Sequence, residues 1–324
     1  MLSREKTFRT VVGMPKMERV MQLGDRFVFL GSCFAEHIGR RFAEYGLPVL
    51  CNPFGVLYNP LSLLTAVQGA ALKDEAHHSV FFQDGTWHSW SAGSQVSATD
   101  EASCRQLMAS LYDELHQALG RASFLFVTLG TRVCYRLTET GQVVANCHRM
   151  PAAQFEEYAI GVGECAEVLT QLVDEARGMN PDLQIVFTVS PYRYAKYGFH
   201  GNQLSKSVLL LGVEEVCSRR DRCTYLPIYE IFMDELRDYR FYAEDMCHPS
   251  PVAVDYVWNR LVEECMDTRL QAYLSDYEPL RRALAHRPFN PDSPQYHDFL
   301  QKIESMRKVL AGKYGYSISP HSLP

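Results

Sequence analysis

Two short stretches of the chain carry side chains suited to acyl chemistry. In Asp245-Met246-Cys247-His248 a carboxylate precedes an imidazole by three residues. The carboxylate can accept a hydrogen bond from one ring nitrogen and leave the other free as a general base. An aspartate capping a helix beside a surface histidine would read the same way, so the pair needs a nucleophile. Gly31-Ser32-Cys33 offers two adjacent ones, immediately after an apolar run. If the chain turns there into a helix, the helix N-terminus supplies backbone N–H groups for an oxyanion and depresses a cysteine pKa. Either Ser32 caps the helix and Cys33 attacks, or Ser32 attacks and Cys33 packs inward as a small apolar residue. The first assignment is preferred, and the second stays open.

Stepping along the chain places these residues on elements. Residues 26–31 read as a buried strand and 34–45 as a helix, with Phe34, Ile38 and Phe42 on one face. Residues 52–60 are dense in turn formers. Residues 61–72 and 101–119 are helical, and 79–97 form a hairpin turning at Asp84-Gly85. The apolar runs 123–130 and 184–191 read as central parallel strands. Residues 132–146 read as a second hairpin, 151–178 as a helix, 203–219 as a helix, 223–227 as a short strand and 250–267 as a helix. The alternation predicts an α/β fold with a doubly wound parallel sheet and a site at the carboxyl ends of its strands. Residues 268–324 are assigned as a helical extension with a Pro/Asn break at 288–294. Their apolar spacing would serve packing on the main domain, taken as residues 1–267, or on a second subunit.

On that rim the turns would gather Gly55, Gly130 and Asn146 with the two motifs, plus His148 at the end of the second hairpin. Three readings follow. In the first, Cys33 or Ser32 attacks a carbonyl, His248 takes the proton and Asp245 orients His248. The N–H groups of Cys33 and Gly55, with Asn146, hold the oxyanion; Asn59, Gly130 and His148 complete the candidate binding set. In the second, Cys33, His148 and His248, with Cys147 and Cys247 beside them, hold zinc, although their spacing fits no local zinc motif. In the third, the cleft binds a ligand without chemistry. Trp87, Trp90, Tyr192 and Tyr194 could line a cleft, and Arg132, Arg193 and Lys206 could meet an anionic group. Sheet-edge cover and solvated surface charge are the simpler readings of the two sets.

Composition narrows the classes. Of 324 residues 47% are hydrophobic and 22% charged, which supports a real core and excludes general disorder. The net charge of −6 argues against a nucleic-acid scaffold. No run of about 18 apolar residues exists to cross a membrane. The charged N-terminus lacks a secretory apolar core, so the expected location is the cytoplasm. Ten scattered cysteines without a CxxC pair are expected to be free there. No cofactor is expected, and the oligomeric state is left open.

The motifs resemble the GSCFA-domain family. Gly31-Ser32-Cys33-Phe34-Ala35 matches its name-giving motif, and Asn52-Pro53-Phe54-Gly55-Val56-Leu57-Tyr58-Asn59-Pro60 matches its NPFGxLYNP block. Leu129-Gly130-Thr131, Val144-Ala145-Asn146-Cys147-His148, Val189-Ser190-Pro191, Gln203-Leu204-Ser205-Lys206, Tyr229-Glu230 and the stretch from Arg237 to Pro249 also match. The resemblance covers about residues 7–265. It implies an SGNH-hydrolase-like (flavodoxin-like) three-layer α/β/α sandwich acting on an ester or acyl group, with a carbohydrate as one possible carrier. SGNH hydrolases carry four blocks. Gly31-Ser32-Cys33 takes the first, with Cys33 in the nucleophile register; Gly55 is the candidate for the second; Asp245 and His248 take the fourth. The third departs from the pattern: Arg132 stands where the asparagine would be, and Asn146 could supply the amide from the hairpin.

Overall fold

The computed structural model describes residues 9–72, 79–287, 289–290 and 292–317. The chain runs β1 (Phe27–Gly31), α1 (Cys33–Glu44), β2 (Val49–Cys51), α2 (Pro60–Leu72), β3 (Val80–Gln83), β4 (Thr86–Ser89), β5 (Ser97–Ala98), α3 (Glu101–Arg121), β6 (Phe124–Leu129) and β7 (Val133–Leu137). It continues through β8 (Val143–Val144), β9 (Phe155–Ala159), α4 (Val162–Met179), β10 (Gln184–Val189), α5 (Gly198–Arg219), β11 (Cys223–Tyr225), α6 (Ile228–Glu230), α7 (Pro251–Cys265), α8 (Thr268–Leu284) and α9 (Pro294–Tyr314).

The apolar runs pair as parallel neighbours in the order β2-β1-β6-β10-β11. Numbered within this sheet, that is 2-1-3-4-5, a doubly wound order whose direction reverses between β1 and β6. Strand periodicity sorts the side chains into two layers. Phe27, Phe29, Phe124 and Phe126 pack towards α1, α7, α8 and α9, and the Phe29 and Phe126 rings stack at 4.4 Å. Val28, Leu30, Leu125, Val127 and Leu129 pack towards α2, α3, α4 and α5. The C-terminal helices belong to the first layer. Leu270, Tyr273 and Tyr277 of α8 and Ile303 and Leu310 of α9 are buried with it, and Tyr273 Oη donates to Tyr45 O at 3.0 Å.

Two small antiparallel sheets are inserted. β3 and β4 turn at Asp84 and Gly85, both with positive φ, as a two-residue hairpin requires. The second sheet runs β8-β7-β9 and corrects the helix expected over 151–178. Residues 155–159 form a strand on β7, with Arg136 opposite Glu156, and α4 begins only after Gly161. Phe155-Glu156-Glu157-Tyr158-Ala159 takes its backbone partners from β7, and the Arg136 guanidinium lies over the Tyr158 ring at 4.0 Å. Of the Pro/Asn break expected at 288–294, residues 288 and 291 lie outside the described residues, as do 1–8 and 318–324.

One backbone contact sets the rim. Gly31 ends β1 at φ +138°, and a Cβ there would lie 2.2 Å from Thr128 O of β6. Gly31→Ala should therefore cost at least about 2 kcal/mol through strain and overpacking, measured by denaturant unfolding. An unchanged midpoint would contradict this packing.

Candidate active site

Because β1 ends without a side chain, α1 starts at once. Ser32 N donates to Thr128 O at 3.0 Å, and Ser32 Oγ caps the helix by accepting from Phe34 N at 3.3 Å. Ser32 is buried, and Cys33, the first helical residue, is partly open to a cleft of about 490 Å³ at the carboxyl rim. Burial, with Glu36 adding to it, pushes the Cys33 thiol above its ordinary pKa. The N–H groups of Phe34 and Cys33 and the charge of Lys206 pull the other way without prevailing. The expected depression by the helix terminus is thus corrected: desolvation outweighs it.

His248 lines the same cleft. Its loop is built by Asp245, whose Oδ1 accepts from the N–H groups of Cys247 and His248, both at 2.9 Å. Asp245 Oδ2 lies 2.5 Å from His248 Nδ1. That hydrogen bond holds the carboxyl down at about 2. Asp245 is therefore ionised, and in the neutral imidazole Nδ1 holds the proton towards it and leaves Nε2 bare. Arg193, after β10, fastens the loop: its N–H donates to Cys247 O at 3.1 Å and its guanidinium to Met246 O at 3.3 Å. The Tyr192 ring lies 4.4 Å from the imidazole.

Tyr58, Tyr135, Tyr192, Tyr194 and Tyr197 form much of the remaining wall. At one side Glu157 accepts from Tyr135 Oη and Lys196 Nζ, both at 2.9 Å, and from Tyr197 Oη at 3.2 Å. Tyr192 and Tyr194 were among the aromatic candidates, whereas Trp90 is buried against Phe81 at 3.7 Å and covers the hairpin. Tyr58, Tyr135, Tyr197 and Lys196 were not singled out for this wall. Tyr58 sits in the turn-rich loop already noted, and the others come from β7 and the segment before α5, where the sequence carries no comparable signal.

The remaining candidates divide. Asn59 and Asn146 line the cleft. Asn59 Oδ1 caps α2 by accepting from Ser62 N at 2.9 Å, and Asn146 Oδ1 accepts from His148 N at 2.7 Å. Each side-chain NH₂ has no partner among the described residues. Gly130 lines the cleft as well, but its N–H donates to Tyr58 O at 2.7 Å. Gly55 is corrected: it does not line the cleft, its N–H donates to Asn52 O at 2.8 Å, and its φ of +78° serves the turn. His148 is corrected too. It is buried beneath the first hairpin, with Nε2 at 3.0 Å from Ser89 O and Nδ1 at 3.2 Å from Ser94 Oγ. Burial there lowers it to about 4. Cys33, His148 and His248 therefore do not converge, and no group of three or more His, Cys, Asp or Glu among the described residues is placed to hold a metal ion.

The largest departure from expectation is Lys206. It is fully buried, its Nζ donates to Gly130 O at 2.7 Å, and burial lowers it to about 7. The signal was present in the sequence: Lys206 falls on the stripe of α5 that buries Leu209, Val213 and Val216.

Fold and site together define a doubly wound α/β protein with a Ser-Cys turn and an Asp–His pair on one cleft at the carboxyl rim. The GSCFA family model matches residues 26–261, and a second model, the C-terminal domain of GSCFA domain proteins, matches residues 277–317. The chain belongs to the GSCFA family. Among solved structures, a Clostridium thermocellum family 3 carbohydrate esterase is similar at 12% identity, covering 82% of this chain and 100% of that chain with a TM-score of 0.34. A similarity of that size carries no argument about function. No curated protein matches the chain significantly. Among the described residues no helix is long and apolar enough to cross a membrane.

Two stability predictions follow from the geometry. Ser32→Ala removes the α1 cap and should cost about 1 kcal/mol in denaturant unfolding. For Lys206, the folded pKa of about 7 lies below the ordinary 10.5. Between those values the unfolded chain binds the extra proton, so this group makes stability rise with pH, and its cost is complete below about pH 7. Lys206→Met should therefore be most favoured relative to wild type at pH 6–7 and lose that advantage towards pH 10. The slope is the readout, because the lost hydrogen bond to Gly130 does not titrate.

Proposed function

We propose that the protein is an SGNH-like acyl hydrolase or acyltransferase with Cys33 as nucleophile. The observation that carries the reading is the ionised Asp245 holding His248 with a bare ring nitrogen, on the cleft that also receives the first residue of α1. Cys33 Sγ attacks the carbonyl carbon of an ester, and the thiol proton passes to His248 Nε2. Asp245 stabilises the imidazolium. The oxyanion accepts from the Cys33 N–H and from the side-chain amides of Asn59 and Asn146, which take the place of the Gly55 N–H and of the missing block asparagine. Collapse breaks the bond to the leaving alkoxide, which takes the proton from His248. A thioester remains on Cys33, and water or an acceptor hydroxyl, deprotonated by His248, removes the acyl group.

The substrate class follows from the wall. Five tyrosines offer flat apolar faces and hydroxyls, and Glu157 and Lys196 add charged hydrogen-bonding groups at the edge. That combination suits an acyl ester on a hydroxyl-rich ring, such as an acylated sugar.

The test compares fluorophosphonate and iodoacetamide labelling with mass mapping, and hydrolysis of a small aryl acetate and an acetylated sugar. Cys33→Ala and His248→Ala should each lower kcat/KM by at least about 10²-fold, while His248→Ala, at a half-exposed position, shifts stability by less than about 0.5 kcal/mol. Loss of turnover in Ser32→Ala with full turnover in Cys33→Ala would make this a serine enzyme. Ligand binding with no turnover in any form would make it a binding protein.

A further inference from the structure

Lys206 is an unusual core residue. An ammonium has three donor hydrogens, and Gly130 O, at 2.7 Å, is its sole hydrogen-bond acceptor among the described residues. No carboxylate among the described residues lies within ion-pair distance of it. Burying an unpaired cation is expensive, and a hydrogen-bonding peg needs no charge. The acceptor, however, is a wall residue of the cleft that Cys33 also lines, and Lys206 and Cys33 each favour the other's charged form. Its neighbour Ser205 holds the same turn, with Oγ accepting from Arg132 N at 2.9 Å and lying 3.1 Å from Thr131 Oγ1. α5 therefore presents a cation to the back of the cleft through the turn it clamps.

We propose that Lys206 is a positioning residue for Cys33, whose ammonium, held behind Gly130, supplies the positive charge that stabilises the Cys33 thiolate. The groups facing Cys33 divide by sign. Glu36 on its own helix opposes the thiolate, as do Tyr58, Tyr192 and Tyr194 once ionised; Lys206 favours it, and Lys196 and His248 are the other basic groups lining the cleft. The catalytic consequence rests on Cys33 being the nucleophile, but the coupling itself does not.

Because Lys206 keeps its charge only up to about pH 7, its effect has a distinctive pH signature. The experiment follows iodoacetamide alkylation of the Cys33 peptide from pH 6 to pH 10, in a His248→Ala background so that the imidazole does not contribute. At pH 6.5 Lys206→Met should be alkylated about tenfold more slowly, and the two profiles should converge by about pH 9.5, where Lys206 is neutral. Lys206→Gln keeps a donor for Gly130 without the charge and should follow Lys206→Met. Should neither variant fold, the profile with Lys206 intact decides: a shoulder near pH 7 supports the coupling, and a single rise near the thiol pKa overturns it. Equal profiles, a difference uniform across pH, or a Gln variant matching the lysine form would reduce Lys206 to a structural peg. Should Cys33→Ala retain turnover, the nucleophile reading fails, while the alkylation profiles still decide the coupling.

Discussion

The close approach of β1 to β6 at Gly31 governs the whole rim. With Thr128 O where a side chain would stand, the chain must turn at once, and α1 begins beside the sheet edge. The same residue anchors the next loop. Gly31 N donates to Asn52 Oδ1 and Gly31 O accepts from Leu57 N, which fixes the segment carrying Tyr58 and Asn59. Tyr58 O in turn accepts from Gly130 and Thr131, and Gly130 O accepts from Lys206. Three strand ends and α5 are thus joined by backbone groups that have no freedom to move separately.

That bonding also settles which donors a ligand can meet. The N–H groups of Gly55, Gly130 and Thr131 are engaged within the protein, both ring nitrogens of His148 have neighbours, and the Ser32 hydroxyl oxygen is an acceptor for the helix. Left facing the cleft are the Cys33 N–H, the two asparagine amides, the hydroxyls of Tyr58, Tyr192 and Tyr194, the Lys196 ammonium and His248. A carbonyl oxygen that becomes an oxyanion needs donors of this kind.

Much of this was legible in the sequence, for a physical reason: central parallel strands are buried on both faces, so 26–31, 123–130 and 184–191 stand out as apolar runs. Asp245-x-x-His248 was legible because its hydrogen bond is local, closed within one turn of loop. The misreadings concern partners distant in sequence. Residues 155–159 become a strand through β7, which no helical count within the segment reveals. His148 looked like a rim residue and proves to be a hairpin residue, because β8 carries the chain back beneath β4. Gly55 follows β2 as expected, yet whether its N–H is free depends on the curl of the turn around Asn52. Lys206 is the instructive case, since its position in the α5 stripe was countable and its charge argued against counting it.

Two strategies for handling charge meet in one cleft. The Asp245 carboxylate stands in solvent, where its charge is well hydrated, and can hold an imidazolium with little desolvation. Cys33 lies deeper, where burial favours the neutral thiol, and Lys206 is deeper still, where burial favours the neutral amine. Each buried group is disfavoured alone in its charged form, and each charge relieves the other. Burial thus favours the protonated thiol at Cys33. The same sheet edge therefore sets the Asp245–His248 pair in water and the Cys33–Lys206 pair behind the wall.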